Sequence, residues 1–270
     1  MLDIRRVLAS APKKHRDENL NPLMTVWGEA LNPEEILPEH PHPRMRRDSF
    51  LMLNGIWEYA IVPLTGIPDA TRLVQETIPS CWDGKIMVPF SPEASLSCVG
   101  RTLRPNELLW YRRLVKLPKS ASEQRLILHF EAVDWMCACF VNGQIVGTHV
   151  GGYLPFSFEI TDFLATSTEV TGETEISLCV YDPSDTGTQL RGKQTLSRGD
   201  IWYTAQSGIW QSVWCEVVSS AHLEELTLKG DMHGTLQVRA RSTFGSRDAF
   251  GSRNEARTGL LTNSLTLEVT

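Results

Sequence analysis

The chain has 270 residues, with 26 Lys and Arg against 32 Asp and Glu for a net charge of −6, and is 41% hydrophobic and 21% charged. This is the composition of a globular chain rather than a disordered one. Its mild acidity argues against nucleic acid as a partner, because phosphate binding needs a basic face. No run approaches the ~18 apolar residues of a membrane span, and the N-terminal stretch lacks the apolar segment of a signal peptide, so a cytoplasmic protein off the membrane is expected.

Residues 1–44 hold Pro12, Pro22, Pro33, Pro38, Pro41 and Pro43, too many for a helix or sheet interior. They read as an extended arm, with Trp27 expected to dock on the following domain or a neighbouring one. The basic clusters Lys13–Arg16 and Arg44–Arg47 read as solvated residues. His40 and His42 flank Pro41 without acidic or thiol company at ligand spacing, so no metal is expected there.

From Ser49 a strand is expected to Leu53, then a turn at Asn54-Gly55 and a second strand over 56–61. Alternation places Trp57, Tyr59 and Ile61 on one face, the better candidate for core, and Ile56, Glu58 and Ala60 on the other. Proline and glycine break residues 77–105 into short pieces. Leu109–Val115 alternates as a strand with Trp110 and Arg112 on one side. Arg112 and Arg113 could meet a carboxylated sugar, or pair with acids on neighbouring strands.

The strongest pattern runs from Leu126 to Leu164: a strand over 126–131, a joint at 132–134, and a strand over 135–141. An Asn142-Gly143 turn and a returning strand over 144–150 follow. Asn-Gly between apolar runs marks a hairpin, because a type I′ turn needs positive φ at both central residues. Phe156–Ile160 alternates again. Glu175–Tyr181 is a further strand with Ile176, Leu178 and Val180 inward, ended by Asp182-Pro183. Ser184–Gly208 is then a long polar loop, and loops of such length are usually functional or disordered. Ile209–Val217 closes the domain with Val213, Cys215 and Val217 on one face. Beyond Ser220 the pattern restarts at Leu223, Leu226 and Leu228, and again at Leu236, Val238 and Ala240. The tail repeats Phe-Gly-Ser-Arg at Phe244 and Phe250.

Cys137, Cys139, Cys179 and Cys215 fall within strand-like runs and read as buried, reduced thiols. No second ligand pair accompanies Cys137 and Cys139, so neither metal nor cofactor is expected. G-x-S-x-G, H-E-x-x-H and P-loop motifs are absent from the sequence.

Four segments in order carry a resemblance: Leu53-Asn54-Gly55-Ile56-Trp57, Trp110-Tyr111-Arg112-Arg113, the stretch from Leu126 to Leu164, and Ser207-Gly208-Ile209-Trp210-Gln211-Ser212-Val213-Trp214. Together they resemble the N-terminal sugar-binding domain of glycoside hydrolase family 2, the β-galactosidase, β-glucuronidase and β-mannosidase group. Val88-Pro89-Phe90-Ser91-Pro92-Glu93 is similar to a connecting segment of that family. The resemblance implies an all-β fold: a galactose-binding-domain-like jelly-roll sandwich over 45–219 after the arm at 1–44, then an immunoglobulin-like sandwich from 220 to 270. The latter needs about 100 residues and would be incomplete.

Family members place two catalytic glutamates on a (β/α)₈ barrel of about 250 residues, for which this chain has no room. Asn106-Glu107 and Asn254-Glu255 lack the barrel context, so no catalytic residue is assigned and the chain alone is expected to be inactive. The resemblance implies the sugar-binding part of a C-terminally truncated β-glycosidase, with carbohydrate and the missing domains as partners and the oligomeric state open. A free-standing carbohydrate-binding module and a structural docking module are the alternatives. In several family members a loop of this sandwich gives an aspartate to the sugar. The matching candidates are Asp185, preferred, and Asp200, with Trp202 or Tyr203 able to stack on a sugar face.

Overall fold

The architecture is that of a computed structural model, which describes residues 25–64, 66, 68–118, 123–164 and 173–243. The basic cluster Lys13–Arg16, the Phe-Gly-Ser-Arg repeats and Asn254-Glu255 lie outside the described residues. The chain divides into two compact units, Met1–Ser219 and Ser220–Thr270.

In the first unit the strands are β1 (Leu51–Met52), β2 (Gly55–Pro63), β3 (Gly84–Val88), β4 (Glu107–Val115), β5 (Gln124–Phe130), β6 (Val133–Asp134), β7 (Met136–Val141), β8 (Gln144–Val150), β9 (Phe156–Glu159), β10 (Thr174–Tyr181), β11 (Gln194–Thr195), β12 (Tyr203–Thr204), β13 (Gly208–Ile209) and β14 (Val213–Ser219). Two antiparallel sheets dominate: a four-stranded one in the order β1-β14-β5-β9 and a six-stranded one in the order β3-β2-β4-β10-β7-β8.

One hydrophobic core joins the two sheets. Leu126, Leu128 and Phe130 of β5 and Val213 and Cys215 of β14 meet Trp57, Tyr111, Cys137, Cys139, Val141, Ile176, Leu178 and Val180 from the other sheet. The expected inward set of β10 is fully buried. Period-two alternation explains the arrangement, since only alternate side chains of each strand reach the inter-sheet space. Burial of side chains this size contributes roughly 1.5–3 kcal/mol each.

The six-stranded sheet is buried on its second face as well. Ala60, Leu108, Trp110, Met136, Ala138, Phe140 and Cys179 form a separate cluster there with Leu73, covered by Leu64, Ile78 and Trp82. This explains a departure from the simple alternation of β2: Trp57 is buried with Tyr59 and Ile61 packed on the main core, yet Ala60 is buried too, on the opposite side. It also explains why β7 reads as continuously apolar.

The Asn142-Gly143 turn joins β7 to β8 with φ of 49° and 76°, as the hairpin reading requires. Trp27 is not seated on the first unit's sheets: it is 79% exposed on a four-residue helix, Val26–Glu29. One expectation needs correction. The strand before Asn54 is short, Leu51–Met52, because Asn54 turns its amide inward, accepting from Val213 N–H and donating to Ser212 Oγ, each at 3.0 Å.

The second unit is described over Ser220 to Thr243. It is an antiparallel hairpin of β15 (Leu223–Gly230) and β16 (Leu236–Ser242), with a register shift between Leu223 and Glu225. Asp231 closes its turn by accepting N–H bonds from His233 and Thr235, both at 2.9 Å.

Candidate functional site

The long segment after β10 is ordered by a layer of buried acids beneath it. β10 ends at Tyr181, and the Oδ1 of the next residue, Asp182, accepts the Ser184 N–H at 2.7 Å. At the other end Ser207 donates its hydroxyl to Glu93 Oε1 at 2.7 Å and its N–H to Glu93 Oε2 at 3.1 Å. Glu93 also accepts the Leu103 N–H at 3.0 Å. Ser91 Oγ hydrogen-bonds Gln206 Oε1 alongside. The proline-broken stretch before β4 thus anchors the loop.

Asp134, the last residue of β6, is the third acid, and the Gln194 side chain hydrogen-bonds to it. Gln194 in turn accepts the Gln206 N–H at 2.7 Å and reaches the Tyr153 hydroxyl. Tyr153 meets Trp210 edge-on, ring centroids 6.2 Å apart, while Trp210 Nε1 donates to Gly152 O at 2.8 Å.

Burial pushes the Glu93 carboxyl up to about 7 against its three hydrogen bonds. Burial also raises Asp134 to about 7, assisted by the charges of Asp182 and Glu93. Asp182 rises to about 6, again through burial. Carboxyls in this range are neutral or charged according to small changes of environment near neutrality. Here their oxygens fasten backbone and amide groups rather than face an open cleft.

Gly208 is required where the loop rejoins the sheet. Its φ is 74°, and a side chain there would run into the Tyr111 hydroxyl. That hydroxyl accepts the Ile209 N–H at 3.1 Å, so the approach is held by a bond.

The three expected contact residues separate into two groups. Asp185 is half-buried, and its Oδ2 accepts from Thr195 Oγ1 at 2.5 Å and Leu196 N–H at 3.2 Å. Asp200 and Trp202 share the tight Gly199–Trp202 turn, closed by Trp202 N–H to Gly199 O at 2.9 Å, with Asp200 exposed at φ 51°. Trp202 is 47% exposed, Tyr203 67% and Leu190 76%. The loop therefore presents an acid and two aromatic rings to solvent, a pairing suited to sugar hydroxyls and sugar faces. Sequence reasoning missed Glu93, Asp134, Gln194 and Tyr153. The Asp182-Pro183 strand stop was visible, but nothing local marked the acids as buried together.

Arg112 and Arg113 are engaged elsewhere. Arg112 pairs with Glu58 of β2 at 2.6 Å and Glu175 of β10 at 3.6 Å. Arg113 donates to the carbonyls of Leu53 and Asn54. Glu107 opens β4, paired with Arg101 at 2.5 Å. Cys137, Cys139, Cys179 and Cys215 are buried free thiols, and burial pushes Cys137 and Cys215 up to about 12, far from thiolate chemistry.

Residues 50–216 match the family described as glycosyl hydrolases family 2, sugar binding domain. A β-galactosidase of Thermoanaerobacter pseudethanolicus is 28% identical over 117 residues, which are 43% of this chain and 14% of that protein. A putative β-glucuronidase of Formosa agariphila is 30% identical over 122 residues, 44% of this chain and 13% of that one. Among solved structures, a β-glucuronidase of Faecalibacterium prausnitzii matches with a TM-score of 0.50 at 19% identity, over 74% of this chain and 37% of its own. The apo β-glucuronidase of Ruminococcus gnavus gives 0.51 at 16%, over 74% and 35%. At such identities the structural likeness speaks for the fold alone. The chain spans a small part of the length of the relatives it matches.

Proposed function

Because the chain belongs to the glycosyl hydrolase family 2 sugar-binding domains, we propose that it is the non-catalytic, sugar-facing portion of a β-glycosidase, a hydrolase of O-glycosyl bonds in β-linked sugars. On this reading the first unit is the jelly-roll and the hairpin from Ser220 begins an immunoglobulin-like domain. Cleavage belongs to a barrel beyond this chain. One observation supports the reading most: the loop fastened by Glu93, Asp134 and Asp182 holds Asp200, Trp202 and Tyr203 outward. A carboxylate that meets sugar hydroxyls in a dry site discriminates between sugars, because an unmet polar group there is costly. The six free thiols agree with a reducing, cytoplasmic setting.

The test is the size of the native product in source cells, detected with an antibody against residues 45–218. A band far larger than 30.3 kDa, co-purifying with β-glycosidase activity, is expected. A single band at that mass without activity would overturn the parent-enzyme reading. A second reading, docking of the loop on a further domain, is favoured by the exposed Leu190 and Ile201. Under it, Trp202→Ala would alter assembly and leave sugar affinity unchanged.

A further inference from the structure

The segment before β1 is laid along β14 on the side of the four-stranded sheet that faces away from the core. Ser49 Oγ donates to Val217 O at 2.7 Å and accepts Val217 N–H at 3.1 Å. Arg47 holds both oxygens of Glu216 at 2.7 and 2.8 Å. Farther back, Asn54 Nδ2 donates to Ile36 O at 3.3 Å. Between these ties sits His40, 8% exposed, its ring 4.5 Å from Phe50 and 4.8 Å from Trp214. Trp214 also stacks on His129 at 3.9 Å.

The protonation state of His40 is defined by its bonds. Nδ1 accepts the His42 N–H at 2.9 Å, which places the ring proton on Nε2, a buried atom without a partner. A second proton can go only to Nδ1, where it displaces the His42 N–H. The resulting cation would face His42, Arg46 and Arg47 from its own segment, and His129, Glu131 and Glu216 from the sheet. The two acids are already engaged: Glu216 by Arg47 and by His129 at 3.3 Å, Glu131 by Trp214 Nε1 at 2.7 Å and His42 Nε2 at 3.0 Å.

We propose that residues 36–50 form an acid-released strap, in which protonation of His40 frees the segment from the sheet and bares an aromatic and acidic face made of Trp214, Glu131 and Glu216. Burial, first among the causes, holds His40 below its usual 6.5, with Arg46 and His42 adding to the effect and the two glutamates opposing it. The sign follows: a folded value below the free one favours the seated strap above the free value, and that advantage is lost as pH falls through the folded value.

Hydrogen–deuterium exchange of the full chain, corrected for the intrinsic rate at each pH, tests the proposal. Protection over 36–50 is expected to fall roughly tenfold or more between about pH 7.5 and about pH 5, while β2 and β10 stay protected. His40→Phe, which keeps an aromatic ring but cannot titrate, is expected to abolish that fall. Unchanged protection in the wild type, or an equal fall in His40→Phe, overturns the strap. If His40→Phe does not fold by circular dichroism, the wild-type imidazole resonance decides. A shared midpoint for ring titration and loss of protection supports the proposal, and a ring that titrates while the segment stays protected overturns it.

Discussion

Ser207 donates both its hydroxyl and its N–H to the two oxygens of Glu93, at 2.7 and 3.1 Å, across 114 positions of sequence. This clasp closes the long loop onto the segment that precedes β4. Replacing Glu93 with Ala strands three donors, since Leu103 N–H also depends on it. A destabilisation of about 2–4 kcal/mol is expected in urea unfolding, with the two-state slope retained. A loss below about half a kcal/mol would show that the clasp is idle.

The buried acids predict a pH dependence of definite sign. Glu93 and Asp134 titrate at about 7 and Asp182 at about 6, all above their ordinary values, chiefly through burial. A raised folded value means that the native state binds more protons. The stability these groups contribute is therefore complete below the ordinary carboxylate range and is lost as pH rises through about 6 to 7. Denaturant midpoints should fall between about pH 5.5 and about pH 8, and Asp134→Asn should fall less steeply than the wild type. Parallel profiles for the two proteins would contradict the assignment of Asp134.

Gly208 predicts a local steric rule. With φ at 74° and the Tyr111 hydroxyl in the space a side chain would occupy, Gly208→Ala should cost about 2 kcal/mol or more. Tyr111→Phe removes the obstructing oxygen along with the acceptor for Ile209 N–H. In a double-mutant cycle the double variant should therefore lose less than the sum of the two single losses, by about 1 kcal/mol. Strict additivity would show that φ strain alone accounts for the glycine.

In the shared core, Leu128→Ala and Ile176→Ala remove fully buried side chains from opposite sheets. Each should lose about 2–5 kcal/mol in chemical unfolding. A surface-sized effect at either position would contradict the single inter-sheet core.

What the sequence disclosed, and what it withheld, follows from the range of the forces. The Asn142-Gly143 hairpin and the inward face of β10 rest on local φ preference and period two, and both were legible. β3 was not, because Asp83-Gly84 and Val88-Pro89 bracket a strand of five residues that reads as a broken loop. Trp27 lies exposed on the first unit, since a large apolar side chain is only a statistical indicator of burial within its own domain. Asp134 lies at the end of β6, Asp182 just after β10 and Glu93 in a turn between β3 and β4, and their burial together is a tertiary result that no local pattern encodes. The sequence named Asp185 as the preferred sugar contact and Asp200 as the second; the fold engages the Asp185 Oδ2 with Thr195 and Leu196 and leaves Asp200 exposed.

The central claim is that this loop faces sugar, and an NMR titration of the chain with methyl β-D-galactopyranoside and methyl β-D-glucuronide tests it most directly. Saturable shifts of the Trp202 indole N–H, with a Kd on the order of millimolar for at least one sugar, are expected, as is their loss in Asp200→Ala with the fold unchanged. Absence of any shift at Trp202 up to the solubility limit of both sugars, or an equal shift in Asp200→Ala, would contradict the account.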